Sequence, residues 1–260
     1  MTAFGKRILI LIPHPDDEVV GFSAALGRAR TQGAEIFALY ITNGCIARAT
    51  LWPWQRKHHA AYVVRRRKEG EDIARFLRMT PVGWNDARPA RHLWPELSAV
   101  HAEIAAAVDA HNIDQLWVPA YEGGNADHDG VNAVASCFMP QLSVLEFAEY
   151  NFCGGKAHSQ EFPFPNGSEV TLTLTPAEQE TKRKALALYV SEQMNLNYVK
   201  LQRECFRPLA SYDYSQPPHN GKLWYARFQW VPFRHPRVDF TDPAEVSATI
   251  TAFLDRMRRA

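Results

Sequence analysis

The chain has 260 residues, 46% of them hydrophobic and 22% charged, an ordinary balance for a globular protein whose core needs no disulfide or metal to hold it together. A formal net charge of +1 gives no reason to expect nucleic acid or another polyanion as partner. The apolar run at residues 8–12 is too short for a signal-peptide core or a membrane span, and no other stretch approaches spanning length, so a soluble, cytoplasmic protein is expected.

Residues 8–12, Ile-Leu-Ile-Leu-Ile, are β-favouring throughout and end at Pro13, the pattern of a strand buried on both faces of a parallel sheet. Asp16, Asp17 and Glu18 then precede an apolar stripe of Val19, Val20, Ala24, Ala25, Leu26 and Ala29, which signals a helix start. Gly33 ends that helix and 36–42 reads as the second strand. This β-loop-α-β opening predicts a doubly wound sheet.

Farther along, 60–78 is predicted helical. Its basic run Arg65, Arg66, Arg67 and Lys68 is followed by Glu69, Glu71 and Asp72, which reads as a solvated helix face with i,i+4 pairs. A short strand is expected at 81–84 and an amphipathic helix at 96–111, with Val100, Ile104, Ala107 and Val108 on one face. Another buried strand at 115–118 ends at Pro119, and a polar, glycine-containing loop (121–129) leads into a helix at 131–138. Strands are expected at 145–150 and 170–174.

Thr175-Pro176-Ala177-Glu178 opens a helix running to about 190, with proline at its first position. A further helix is expected at 196–205. Residues 206–236 are rich in proline and aromatics, with a strand at 223–228, and Asp242 caps a final helix. The four cysteines, Cys45, Cys137, Cys153 and Cys205, form no CxxC pair and read as free thiols in a reducing compartment. With no repeat, low-complexity tract or long linker, the expected architecture is one α/β domain over 1–260: a Rossmann-like, mostly parallel sheet flanked by helices.

Two segments carry chemistry. His14-Pro15-Asp16-Asp17-Glu18 lies just beyond the carboxyl end of the first strand, and Gly123-Gly124-Asn125-Ala126-Asp127-His128-Asp129 lies beyond another buried strand. Open α/β sheets bind ligands at such positions. His14, Asp17 and His128 supply the three nitrogen and oxygen ligands of a catalytic zinc that keeps one position open for water. Asp16 is left beside the metal, free to take a proton from the water and return it to a departing amine. A proline-stiffened turn with helix-capping acids is the bland alternative, and residue patterns alone go no further than a metallohydrolase.

The segment 13–18 resembles the HPDDE signature of the LmbE-like (PIG-L) deacetylases. The likeness extends to Arg66 and Glu69 (an RxxE helix), to Glu122, Gly123, Gly124, Asp127 and His128 (a second metal loop), and to Lys184, Ala185, Tyr189 and Ser191 (a late KxxA…YxS element). It implies a zinc-dependent N-deacetylase acting on an N-acetylglucosaminyl sugar or glycoconjugate. His14, Asp17 and His128 match its ligands and Asp16 its general base. Arg66 matches an arginine that contacts substrate, and Asp86 an acidic substrate-binding residue. Asp127 is expected to orient a neighbouring group. The part from about 206 to 260 is expected to be a family-variable extension of the same domain.

One position departs from the pattern. Asn125 stands where the family has a histidine that stabilises the oxyanion, and an asparagine can donate a hydrogen bond there but carries no charge. The resemblance leaves two rivals: a deacylase of longer-chain or secondary-metabolite amides, and a non-catalytic sugar-binding form of the fold. His and Asp ligands also accept divalent metals other than zinc. Tyr212, Tyr214, Trp224, Tyr225 and Trp230 are candidates for stacking on a sugar, with packing as the alternative. A nicotinamide-binding reading fits poorly, because the first strand leads into HPDDE and not GxGxxG. The oligomeric state is left open, a homo-oligomer included.

Overall fold

In the computed structural model, which describes residues 4–259, the first strand, β1 (Arg7–Ile12), lies in the interior of a mostly parallel sheet. Its side chains alternate between two cores. Ile8, Ile10 and Ile12 enter one apolar cluster with Leu26, Ile73 and Tyr189, while Leu9 and Leu11 enter another with Val100, Val131 and Phe253. Burial on both faces is the physical reason for the unbroken apolar run.

In chain order, β1 is followed by α1 (Asp17–Val20), α2 (Ser23–Thr31), β2 (Glu35–Tyr40), α3 (His59–Phe76), β3 (Thr80–Trp84), α4 (Leu97–His111) and β4 (Gln115–Pro119). Then come α5 (Ala126–Ser136), β5 (Ser143–Ala148), β6 (Tyr150–Asn151), β7 (His158–Ser159) and β8 (Val170–Thr173). The chain ends with α6 (Pro176–Leu188), β9 (Arg203–Pro208) and α7 (Pro243–Arg259). The seven-stranded sheet has the order β3-β2-β1-β4-β5-β9-β8. Its first five strands are parallel, and β9 and β8 extend it antiparallel. Helices cover both faces, with α4, α5 and α7 packed together and α1, α2 and α3 packed on α6. Strand order reverses between β1 and β4, so the crevice beyond their carboxyl ends is the topological switch point.

Four sequence expectations need correction. The single helix expected from the acids at 16–18 to Gly33 is two, α1 and α2, interrupted at Gly21 and Phe22. No helix occupies 196–205: α6 stops at Leu188, and Arg203 begins β9, which pairs with β5 and β8. Charged residues such as those of that strand usually face solvent. Here they are neutralised inside, Glu204 by Lys182 at 2.9 Å and Arg207 by Glu146 at 2.7 Å. Residues 223–228 form turns and not a strand; Trp224 N is held by Gly123 O at 2.9 Å, and Leu223 and Tyr225 are buried in the core of the α4–α5–α7 face. The helix expected at 131–138 begins earlier, at Ala126, because Asn125 caps it: its side chain accepts from Asp127 N at 2.9 Å.

Candidate active site

Both chemistry-bearing loops open at the switch point. Pro13 ends β1, and its carbonyl takes Thr42 N and Thr42 Oγ1 (2.6 Å), which latches the loop to the end of β2. His14 and Asp17 follow, Asp17 being the first residue of α1. On the other side β4 runs into a turn that only glycine can make. Gly123 has a positive φ of 68°, and a Cβ on Gly124 would stand 2.3 Å from the Tyr150 carbonyl. This turn delivers Asp127 and His128 in the first turn of α5. Asp129 holds the turn closed by accepting from Gly123 N at 3.1 Å.

The structure brings His14, Asp17 and His128 together, all three buried. His14 Nδ1 stands 3.2 Å from His128 Nε2, His128 Nε2 3.3 Å from Asp17 Oδ1, and His14 Nδ1 3.5 Å from Asp17 Oδ2. Asp17 Oδ2 accepts from the His14 backbone N–H at 2.7 Å, which leaves Oδ1 turned to the centre. An ion bound tetrahedrally at about 2.0–2.1 Å from its ligands spaces those ligands about 3.3 Å apart. The His14 Nδ1–His128 Nε2 and His128 Nε2–Asp17 Oδ1 separations have that spacing, and the ligand atoms of all three residues lie within 4.8 Å of one another, so the residues fit a divalent metal.

The electrostatics agree with the geometry. Burial works against a charged His14, but hydrogen bonds and charge from Asp127 and Asp17 outweigh it and push the imidazole up to about 10. Burial likewise opposes ionisation of Asp17, yet the facing His128 and His14 hold its carboxyl below the usual range. These carboxylates demand a cation between them, and a metal meets the demand as a proton does. Asp127 accepts from His14 Nε2 at 2.9 Å, the nitrogen remote from the centre, and takes Arg91 N (2.6 Å) and Leu93 N (3.0 Å) on the same carboxylate.

Asp16 adjoins the triangle in a rare backbone conformation, φ 138° and ψ −26°. Such positive-φ strain costs about 1–3 kcal/mol and persists only where the surroundings impose it. Here Glu18 Oε2 accepts Asp16 N at 2.9 Å, while Arg66 donates to Asp16 Oδ2 at 3.0 Å and to the Pro15 carbonyl. Burial pushes the Asp16 carboxyl well up, against the pull of Arg66. Glu18 is itself buried and held by the hydroxyls of Tyr189 and Tyr40; burial raises its carboxyl to about 7.

Arg66 overturns the reading of the basic run as a solvated face. Its side chain is only 1% exposed, and it sits among Asp16, Glu69 and Glu192 with its guanidinium over the Tyr189 ring. Arg67 and Lys68 do form the expected pairs with Glu71 and Asp72. Asp86 lies apart from the triangle: it is exposed, and its carboxylate takes Arg67 at 3.0 Å. Asn125 is half-buried beside His128, its Oδ1 committed to the helix cap. Lys184 is on the surface with Glu180, while Ser191 bonds Glu69 at 2.5 Å.

Several residues at the site escaped the sequence reading. Glu18 and Tyr189 belong to quoted motifs but had no assigned contact. Glu149 is fully buried behind His128 and carries no motif at all. Tyr150 places its ring 5.8 Å from that of His128 and meets Tyr198 (4.9 Å) and Trp224 (5.2 Å) edge-on. Of the five aromatics that were candidates for stacking on a sugar or for packing, Tyr214 and Tyr225 are buried in the core, and Tyr212 bonds Glu146. Trp224 alone among them joins this wall. Its neighbour His219 is buried against the Gly123 turn with Nε2 unpartnered.

A deacetylase from the teicoplanin biosynthesis pathway has 20% identity and a TM-score of 0.60, covering 80% of this chain and 99% of its own. The 4-carboxy-2-hydroxymuconate hydratase of Pseudomonas putida has 15% identity and a TM-score of 0.52, covering 80% and 98%. The N,N'-diacetylchitobiose deacetylase of Pyrococcus horikoshii has 19% identity and a TM-score of 0.51, covering 82% and 84%. At such identities the likeness is one of fold. No curated protein sequence matches the chain. The family model described as PIG-L, GlcNAc-PI de-N-acetylase, matches residues 9–138. That match spans half the chain and contains both loops of the site, and the chain belongs to the PIG-L (LmbE-like) deacetylase family.

Proposed function

We propose that this protein is a zinc-dependent N-deacetylase that hydrolyses the N-acetyl group of an amino sugar or glycoconjugate, releasing acetate and the free amine. The observation that carries the reading is the convergence of His14 Nδ1 and Asp17 Oδ1 on His128 Nε2, at 3.2 and 3.3 Å, at the switch point with Asp16 alongside. These three residues would hold the ion, and Asp127 fixes the His14 ring through its far nitrogen. A bound zinc supplies a Lewis acid for the acyl oxygen and makes water available as hydroxide near neutral pH.

The remaining roles fall to the chain's own residues. Asp16 accepts the proton of the attacking water on its carboxylate and returns it to the nitrogen as the C–N bond breaks, so the amine leaves neutral. Arg66 positions that carboxylate from inside and is not a substrate contact in this reading. Asn125, with Oδ1 committed to the cap, has Nδ2 left to donate to the developing oxyanion. Tyr150, Tyr198 and Trp224 form a half-exposed wall beside His128 suited to the apolar face of a sugar ring.

A second reading, deacylation of a longer-chain or otherwise apolar amide, is favoured by one observation. Trp52 and Trp54 stack at 5.4 Å, with Trp54 64% exposed, and His235 packs edge-on against Trp52. Both segments leave from the margin of the site: Gly44 abuts Pro15 and Arg66, and Arg91 donates to the Pro236 carbonyl. The test is acid release from matched N-acetyl and N-octanoyl amino sugars by the zinc-loaded protein. Faster acetate release supports the first reading; faster octanoate release transfers the assignment to the second; release from neither overturns both.

A further inference from the structure

Glu149 follows β5 and is completely buried, its backbone N–H held by Glu122 Oε1 at 2.6 Å and its carbonyl by Gln160 N at 2.9 Å. Both of its carboxylate oxygens are buried without a hydrogen-bond partner. The buried Lys182 has its ammonium committed to Val20 O and Glu204. A carboxylate sealed from water with no donor is costly, and native interiors keep one only for a reason.

The reason lies 3.8 Å away, where His128 Nδ1 faces Glu149 Oε2. The other nitrogen of that ring, Nε2, is the one turned to His14 and Asp17. An imidazole that gives Nε2 to a metal must keep its proton on Nδ1, and ligating histidines almost always donate that proton to a carboxylate or carbonyl. Among the described residues Glu149 is the acceptor on that side. Gly21 leaves it room, since a Cβ there would stand 3.1 Å from Glu149 Oε1.

We propose that Glu149 is a positioning residue for His128: its carboxylate accepts the Nδ1 proton and so presents Nε2 to the ion. His14 and His128 would then each be oriented from behind by an acid, Asp127 and Glu149 respectively. The inference rests on the metal reading above. It also explains a carboxylate that serves no end in the metal-free fold.

Zinc affinity of the full chain, measured by competition with a chromophoric chelator, tests it in wild type, Glu149→Gln and Glu149→Leu, with thermal melts of each variant stripped and zinc-loaded. The leucine variant should bind zinc roughly 10- to 100-fold more weakly, and the glutamine variant, which keeps an acceptor oxygen, should fall between. The stripped variants should melt no lower than stripped wild type, because an unpartnered acid has been removed; a purely structural residue would instead lower that melt. Variants that bind zinc as tightly as a zinc-binding wild type overturn the role of Glu149 alone. A wild type that binds no zinc overturns the metal reading and this inference together.

Discussion

Arg66 reaches Asp16 Oδ2 at 3.0 Å from inside the protein, with 1% of its side chain exposed. The same guanidinium group also bonds the Pro15 carbonyl and Ser191, and lies within 3.8 Å of Glu69 and Glu192. One cation therefore fixes the strained turn at Asp16 and neutralises acids drawn from α3 and the segment after α6.

Arg66→Ala leaves those acids buried without their counter-charge and should destabilise the fold by about 3–5 kcal/mol, the range for breaking a buried pair from one side. Arg66→Lys keeps the charge but has no planar fork to span Asp16, Pro15 and Ser191. It should fold and lose turnover more than it raises KM. Urea denaturation paired with steady-state kinetics checks both; a lysine variant with wild-type turnover contradicts the positioning role.

Asn125 serves two ends that substitution can separate. Asn125→Ala removes the cap of α5 and should cost about 1 kcal/mol. Asn125→Asp keeps an acceptor for Asp127 N but loses the amide donor, so stability should hold while turnover falls about 10²-fold. Denaturation midpoints and kcat on the two proteins decide the matter, and equal activity in Asn125→Asp removes this residue from the chemistry.

Acid stability should depend on Glu178, far from the site. Arg28 bonds its carboxylate at 2.8 and 2.9 Å and Thr175 completes a capping box, and together they hold it at about 2, below its ordinary 4.5. A depressed carboxyl stabilises the fold above about pH 4.5 and loses that contribution as pH falls towards 2. Allowing for solvent screening of a partly exposed pair, the contribution at neutral pH is about 1 kcal/mol. Glu178→Gln should be less stable than wild type at pH 7, with the gap narrowing below about pH 4.5 and closing only towards pH 2 in urea titrations. A gap independent of pH would assign the loss to capping geometry alone.

Much of this was legible in the sequence because it was local. The apolar run of β1, the acids in the first turn of α1 and the proline at the start of α6 each act within a few residues, and each lies where expected. His14, Asp17 and His128 were also visible, through the loops that follow two buried strands. What stayed hidden depends on distant pairing. The helix expected at 196–205 gives way to a strand from Arg203, because β5 and β8 pair with it and Lys182 and Glu146 neutralise its charges from other elements. Arg66 looks like one of three surface arginines until the fold turns it onto Asp16. Glu149 has no motif, and only burial with two unpartnered oxygens marks it.

The central claim is that the His14–Asp17–His128 centre hydrolyses an N-acetyl group with Asp16 handling the proton. Its most direct test is acetate release from an N-acetylglucosaminyl conjugate by wild type and Asp16→Asn, with bound zinc quantified in the same samples. The account predicts one zinc per chain in both proteins, acetate release by wild type that a chelator abolishes, and a loss of about 10²- to 10⁴-fold in Asp16→Asn. Zinc-loaded Asp16→Asn that releases acetate at the wild-type rate, or wild-type release that survives removal of the metal, would contradict it.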